Sequence, residues 1–519
     1  MADQEEVVAF LQRPALYAGA VEVDVVRTHG AYVFLGGDTA LKIKRAVRYD
    51  YLDYSTPELR AAALRRELEL NAPAAPMIYR DMVAVTRGAD GALALDGEGE
   101  VVEWALRMWR FPDADQLDKV AGRGALDRPL AETLGACIAQ YHAEAPARAA
   151  RDGARRIGDI LDELGREFAG MADALPAERT ARFLDRARAT LVRQGAVLDS
   201  RAEAGRVRRC HGDLHLRNIV LIEGRPVPFD ALEFSEDLGT CDVLYDLAFL
   251  LMDLRHRGLA WAANAVLNCY LFAAGTDDHY RGLAALPLFQ AVRAGISAMV
   301  AVQTARARGD GAPLLQEARR YLDDAIAVLE PVAPRLVAVG GLSGTGKTTV
   351  ARGLAPDLGA APGAVHLRSD MIRKALCGVD PLTPLDADGY GAEVSAAVYD
   401  RIRAQARAVL QAGQTVIADA VFLDPDERAA IAQVAQDLGA GFAGLWLEAE
   451  GAALVARVSD RRGDASDADA EVVRAQLARD AGPIGWARVD ASGAADEVLA
   501  ACRAALGGTG QTRAHVCNT

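Results

Sequence analysis

The sequence predicts an α+β bilobal domain followed by an α/β domain with a mainly parallel sheet. Three observations lead there. Short β-like runs fill most of residues 1–110 around a single helix, and a mostly helical segment follows over 111–330. From 335 to 506 short apolar strands alternate with helical patterns, as they do where crossover helices join parallel strands. Between the two regions stands Pro331-Val332-Ala333-Pro334, where proline ends a helix and restricts the residue before it.

The β-like runs are Ala31–Leu35, Thr39–Lys44, Met82–Thr86 and Val101–Arg107, with the helix at Pro57–Leu70. Helical patterns continue at Leu130–Ala143, Ile157–Met171 and Ala181–Leu198, and Val207–Phe229 interrupts them with short strands and a loop. The apolar run Leu286–Val302 is broken by Gln290 and Arg293, so it reads as a buried helix and not a membrane span. Leu314, Leu315, Ala318, Tyr321, Leu322, Ile326 and Leu329 recur at helical spacing. Arg335–Gly340 is a short apolar strand, and the polar, glycine-rich residues 507–519 are expected to fray.

Composition narrows the function classes. The 519 residues are 51% hydrophobic and 25% charged, an ordinary globular balance that excludes bulk disorder. Lys and Arg number 58 against 72 Asp and Glu, a net charge of −14. That balance counts against a general polyanion binder, and so against nucleic acid as a partner. The seven cysteines are odd in number and none has CxxC spacing, which argues against a disulfide framework or structural zinc. The first residues, MADQEEVVAF, are acidic where a signal peptide is basic. A cytoplasmic protein without a membrane partner is the expectation.

The first chemical constellation is His211-Gly212-Asp213-Leu214-His215-Leu216-Arg217-Asn218, followed by Pro228-Phe229-Asp230. A loop can turn Asp213 and Asn218 toward one point. There Asp213 could take or orient a hydroxyl proton, while the oxygens of Asn218 and Asp230 could hold Mg²⁺. Phosphoryl transfer needs that combination. Upstream, Ala40-Leu41-Lys42-Ile43-Lys44 puts Lys42 on a β run, with Lys44 on the same face as the alternative. Glu67, on the helix Pro57–Leu70, is the candidate partner for that lysine. Asp242 and Asp246 are four apart on a predicted helix, and His215 reads as structural.

HGDxxxxN with a later Asp resembles the catalytic loop of the aminoglycoside phosphotransferase family, whose fold is protein-kinase-like. The resemblance implies that Asp213 is catalytic and that Lys42 reaches the ATP phosphates and pairs with Glu67. It also implies that Asp246 braces the loop from behind. One departure separates the chain from protein kinases: no GxGxxG precedes the lysine strand, only Gly30 and the Gly36-Gly37 turn.

The second constellation is Gly341-Leu342-Ser343-Gly344-Thr345-Gly346-Lys347-Thr348-Thr349, a GxxxxGK[ST] match with an apolar strand before it and a helix after it. Such a loop wraps phosphates with backbone N–H groups at a helix N-terminus. Lys347 should reach the β/γ-phosphates and Thr348 the Mg²⁺. Asp370 opens a helix after a β run, where it could accept a hydroxyl proton, and Arg373 could bind an anionic group. Asp419 ends a buried strand and could hold the metal or its water. Arg457, Arg461 and Arg462 lie in or beside the polar segment 459–469, a candidate lid that would bring guanidinium groups to the phosphoryl.

This half is similar to small P-loop kinases of the gluconate kinase, chloramphenicol phosphotransferase and zeta-toxin type. Together the halves resemble a bacterial fusion family that joins an aminoglycoside-phosphotransferase-like domain to a P-loop ATPase or kinase domain. The resemblance implies a bifunctional phosphotransferase that uses ATP and Mg²⁺ on small-molecule acceptors. Two other readings are a nucleotide sensor in one half that regulates the other, and a nucleic-acid end kinase in the P-loop half.

Overall fold

The structure is a computed structural model that describes residues 2–49, 52–308, 311–460 and 463–508. By packing, the chain forms two compact units: residues up to 151 with 202–253, and 152–201 with the chain from 254 onward.

The first unit is built on a six-stranded antiparallel sheet in the order Asp24–Arg27, Ala31–Gly36, Thr39–Lys44, Glu100–Trp109, Tyr79–Arg87, Leu93–Leu95. Its central strand Thr39–Lys44 shows why the two lysines end up together. Side chains alternate faces along a strand. Leu41 and Ile43 pack into a cluster with Phe10, Phe34, Val83 and Val85. Ala40 faces the other way, against Leu64, Ile78 and Leu106, and Lys42 and Lys44 share its face. Leu64 belongs to the helix Pro57–Asn71, which starts where Thr56 accepts the Leu59 N–H and Pro57 supplies a pre-set φ. Arg60, Ala61, Leu64, Glu67 and Asn71 are its buried stripe, so a carboxylate is carried inward with the leucine.

Further along this unit, the helix Arg128–Glu144 is capped by Asp127. The hairpin Ile219–Ile222 with Arg225–Pro228 turns over Glu223 and Gly224, both at positive φ, the signature of a type I′ turn.

The second unit holds the helices Gly153–Ala169, Ala260–Ala274, Leu286–Arg308 and Ala312–Val328, together with a five-stranded parallel sheet. The sheet order is Val365–Arg368, Val416–Asp419, Arg335–Gly341, Gly441–Glu448, Ala487–Asp490. Between Arg335 at the start of one and Asp419 at the end of the other, its central strands are apolar, as expected where helices cover both faces. The apolar run 277–307 is long enough to cross a membrane, but 72% of its most apolar window is buried in the protein. The last helix runs Ala495–Gly508; residues 509–519, part of the segment expected to fray, lie outside the described residues.

An edge strand exposes a row of unpaired backbone groups. Here the edge Val365–Arg368 is closed by side-chain amides of the helix Ala260–Ala274. Asn268 Oδ1 accepts the His366 N–H at 2.7 Å, and its Nδ2 donates to Ala364 O at 3.2 Å. Asn264 Nδ2 donates to the same carbonyl at 3.0 Å. Two asparagines one helical turn apart thus imitate a neighbouring strand.

Candidate active sites

In the first unit the loop after the strand Val207–Arg209 carries Asp213. Asn218 Nδ2 donates to Asp213 Oδ2 and to its carbonyl, both at 2.9 Å, so the amide oxygen of Asn218 is the atom left to serve a metal. The loop is held from within. Asp246, fully buried, accepts the N–H of Gly212 at 2.9 Å and of His211 at 3.1 Å, and His142 Nε2 lies 3.1 Å from its Oδ2. Asp253 accepts the Leu216 N–H. Asp246 is therefore the residue beneath the loop. Asp242, expected beside it on a helix, instead ends the strand Thr240–Asp242 and caps Leu244 N, because the helix starts only at Val243. His215 packs edge-on against Phe249 with Nε2 3.4 Å from Asp213 Oδ2. Burial alone would depress this imidazole, but the Asp213 charge outweighs it and raises the pKa.

Lys42 Nζ joins two carboxylates, Glu67 at 2.7 Å and Asp230 at 2.6 Å. Lys44 takes the other Glu67 oxygen at 2.6 Å and pairs with Glu233, also at 2.6 Å. Of the two candidate lysines, Lys42 is the one brought to Asp230. Burial disfavours its charged form, yet Asp230 and Glu67 hold its pKa well above the ordinary lysine value. Burial would likewise raise the Asp230 carboxyl, but Lys42 keeps it below its usual range. Asp230 sits at φ +61°, a conformation rare for a residue with a Cβ and often found at functional sites. Tyr79 Oη accepts the Asp230 N–H at 3.0 Å, and Asn71 Oδ1 accepts the Ala231 N–H at 2.8 Å. Asn71, Tyr79 and Glu233 are thus site residues that the sequence reading did not single out. The oxygen-rich set of Asp213, Asn218 and Asp230 fits a hard divalent cation.

In the second unit the strand Arg335–Gly341 leads through the glycine-rich turn into the helix Lys347–Leu354. Gly344 is at φ +88°, and a Cβ there would lie 2.8 Å from the Leu454 carbonyl oxygen, so only glycine lets the loop approach the helix Gly451–Asp460. Ser343 and Gln476 exchange hydrogen bonds, Ser343 N to Oε1 at 2.8 Å and Nε2 to Ser343 Oγ at 3.1 Å. Thr345 Oγ1 and Lys347 Nζ both donate to the Leu342 carbonyl, while Gly346 and Thr349 lie at the exposed start of the helix.

Thr348 Oγ1 donates to Asp419 Oδ2 at 2.7 Å, and His366 Nε2 lies 3.1 Å from the same oxygen. A hydroxyl and a carboxylate at this point suit Mg²⁺. Burial would raise the Asp419 carboxyl, but His366, Lys347 and Arg368 together hold it low. His366 and Gln476 are further residues that the sequence reading missed.

Asp370 lies in the first turn of the helix Ser369–Leu376, with its Oδ2 3.5 Å from the Arg368 guanidinium. Arg373 donates to Gly389 O at 2.8 Å and Ser395 Oγ at 3.2 Å, and stacks over the Tyr390 ring. Arg457 is not brought to the loop: it donates to Ala491 O at 2.8 Å and Ser492 O at 3.2 Å. Arg461 and Arg462 lie outside the described residues.

Comparison with known proteins follows the same division. A model of the phosphotransferase enzyme family matches residues 35–286, and an AAA-domain model matches residues 336–483. The Mycobacterium tuberculosis H37Rv protein Rv2004c, described as uncharacterized, is 30% identical over 495 residues, covering 91% of this chain and 93% of its own. Among solved structures, a choline/ethanolamine kinase family protein from Mesorhizobium loti is 17% identical over 63% of this chain and 99% of its own, with a TM-score of 0.36. A gluconokinase from Sinorhizobium meliloti 1021 is 22% identical over 34% of this chain and 93% of its own, with a TM-score of 0.24.

Proposed function

This chain belongs to the family of the mycobacterial protein, with a kinase-like phosphotransferase domain ahead of a P-loop kinase-like domain, and on that premise we propose a bifunctional, ATP-dependent phosphotransferase acting on hydroxyls of small-molecule acceptors. What supports the reading is a duplicated arrangement. Each half gathers a lysine and a metal-capable carboxylate, Lys42 with Asp230 and Lys347 near Asp419.

In the first half Asp213 orients the acceptor hydroxyl and takes its proton as the new bond to the γ-phosphorus forms and the bond to the ADP oxygen breaks. Lys42, held by Glu67, positions the phosphates, and Asn218 and Asp230 would hold Mg²⁺. In the second half the backbone N–H groups of the loop and Lys347 hold the phosphates, Thr348 and Asp419 would hold Mg²⁺, and Asp370 receives the acceptor proton. When bound, Mg²⁺ offsets the negative charge of the phosphate oxygens. Arg457, engaged by two carbonyls, takes no part in this reading.

The test is a pair of variants, Asp213→Ala and Lys347→Ala, in a phosphate-transfer screen over sugars, aminoglycosides, nucleosides and RNA ends. Each should remove a distinct ATP-consuming activity. If Asp213→Ala leaves all turnover unchanged, the role given to the first half is wrong.

A further inference from the structure

The helix Ser369–Leu376 carries more than Asp370 and Arg373 on its working face. Lys374 is four residues after Asp370, so the two share a face. Its side chain is only 1% exposed, and its Nζ meets Asp467 Oδ2 at 2.6 Å. That oxygen also accepts the Leu385 N–H at 3.0 Å and the Tyr390 hydroxyl at 2.8 Å. Three donors from three segments converge on one carboxylate oxygen. The same loop supplies Asp464, which pairs with Arg368, the guanidinium that also borders Asp370.

The loop 464–467 thus lays two carboxylates on two cations, Arg368, which borders Asp370, and Lys374, one helical turn further along. An acceptor anion that reached these cations would have to compete with the two loop carboxylates, and so with the loop's present position. Withdrawal would leave Lys374 as a buried cation without a counter-ion, which is strongly unfavourable unless another anion replaces Asp467. The donor set that remains is an ammonium, a phenol and a backbone N–H, which suits an oxyanion.

We propose that Lys374, Tyr390 and the Leu385 N–H form the subsite for an anionic oxygen of the P-loop half's acceptor, and that Asp467 fills it when the acceptor is absent. The acceptor of this half is then a hydroxyl compound that also bears a carboxylate, sulfate or phosphate group. The assignment rests on the phosphotransferase reading of this half, but its test does not use phosphoryl transfer.

The test titrates sulfate, inorganic phosphate and acetate in separate arms into the full chain, with the P-loop saturated by a non-hydrolysable ATP analogue. Asp467→Asn should bind at least one of these anions about tenfold more tightly than the parent chain, the worth of one charge-assisted contact. Adding Lys374→Met should abolish the gain. The arm with the largest gain distinguishes a tetrahedral from a planar anion. Hydrogen exchange on the unaltered chain gives a second readout: a saturating anion should speed exchange at residues 464–469. No gain in any arm, a gain that survives Lys374→Met, or a loop unmoved by any anion overturns the proposal. Anion binding here without phosphoryl transfer by the P-loop half would leave the subsite standing and remove the kinase reading.

Discussion

Asp246 Oδ1 accepts the backbone N–H of Gly212 at 2.9 Å, one residue before Asp213. Asp246 therefore sets the path of the loop without being part of its working surface. Asp246→Ala strands two buried N–H donors, each costing roughly 1–3 kcal/mol. The expected outcome is a lower urea midpoint and a fall in first-half turnover, with nucleotide affinity nearly unchanged. Equal losses of affinity and turnover would show that the loop is not what Asp246 holds.

The two lysines on the strand Thr39–Lys44 should separate by effect. Lys42→Met removes the cation beside Asp230, and first-half turnover should fall on the order of 10²-fold, the scale for loss of one preorganised charge. Lys44→Met leaves Glu67 and Glu233 short of a cation in a buried setting, so its larger effect should be on stability, about 3–5 kcal/mol. Urea unfolding beside steady-state turnover distinguishes them, and a reversed pattern would exchange their roles.

In the P-loop half, Thr348→Ala and Asp419→Asn each remove an oxygen from the place proposed for Mg²⁺. Each should raise the Mg²⁺ concentration for half-maximal turnover of that half by on the order of tenfold. First-half turnover serves as the internal control and should keep its Mg²⁺ dependence.

His256 gives a pH prediction away from either site. Its Nδ1 and Nε2 each lie 2.6 Å from a carboxylate oxygen, of Asp324 and Glu317, and its ring stacks on Tyr321. Burial alone would depress the imidazole, but the bonds to Asp324 and Glu317 outweigh it, so the folded pKa is raised. A raised folded value means this stabilisation is complete below the unfolded pKa of about 6.5 and fades as pH climbs through the folded one. The urea midpoint of the parent chain should therefore fall relative to His256→Gln as pH rises above about 6.5. A constant difference would mean that the imidazolium does not form.

Where local chemistry fixes position, the sequence was readable. Thr56-Pro57 marks a helix start, strand alternation puts Lys42 and Lys44 on one face, and the glycine-rich turn specifies its own backbone. What was not readable depends on partners distant in the chain. Asp230 adopts a left-handed backbone that a glycine would advertise far more strongly than an aspartate; Tyr79 accepts its N–H and Asn71 that of Ala231. Gln476 meets Ser343 across 133 residues, and no local pattern announces that contact. Arg457, read as lying in or beside a polar lid, stands in the helix Gly451–Asp460, and its direction is set by the Ala491 and Ser492 carbonyls. Asp242 fell outside its expected helix because the strand Thr240–Asp242 pairs with Val207–Arg209 and claims it first.

The amides of Asn264 and Asn268 bear on how freely the C-terminal half could be transplanted. The sequence suggests a boundary at Pro331–Pro334, yet the edge strand Val365–Arg368 is finished by side chains some seventy positions before that boundary, at Asn264 and Asn268. A gene fragment begun at residue 335 would encode every residue of the nucleotide loop and still yield a protein with an adhesive margin. Such fragments should self-associate, and those begun before Ala260 should not. The helix that finishes this border packs in the same unit as the sheet, so a cut at Pro331–Pro334 would divide one packed body.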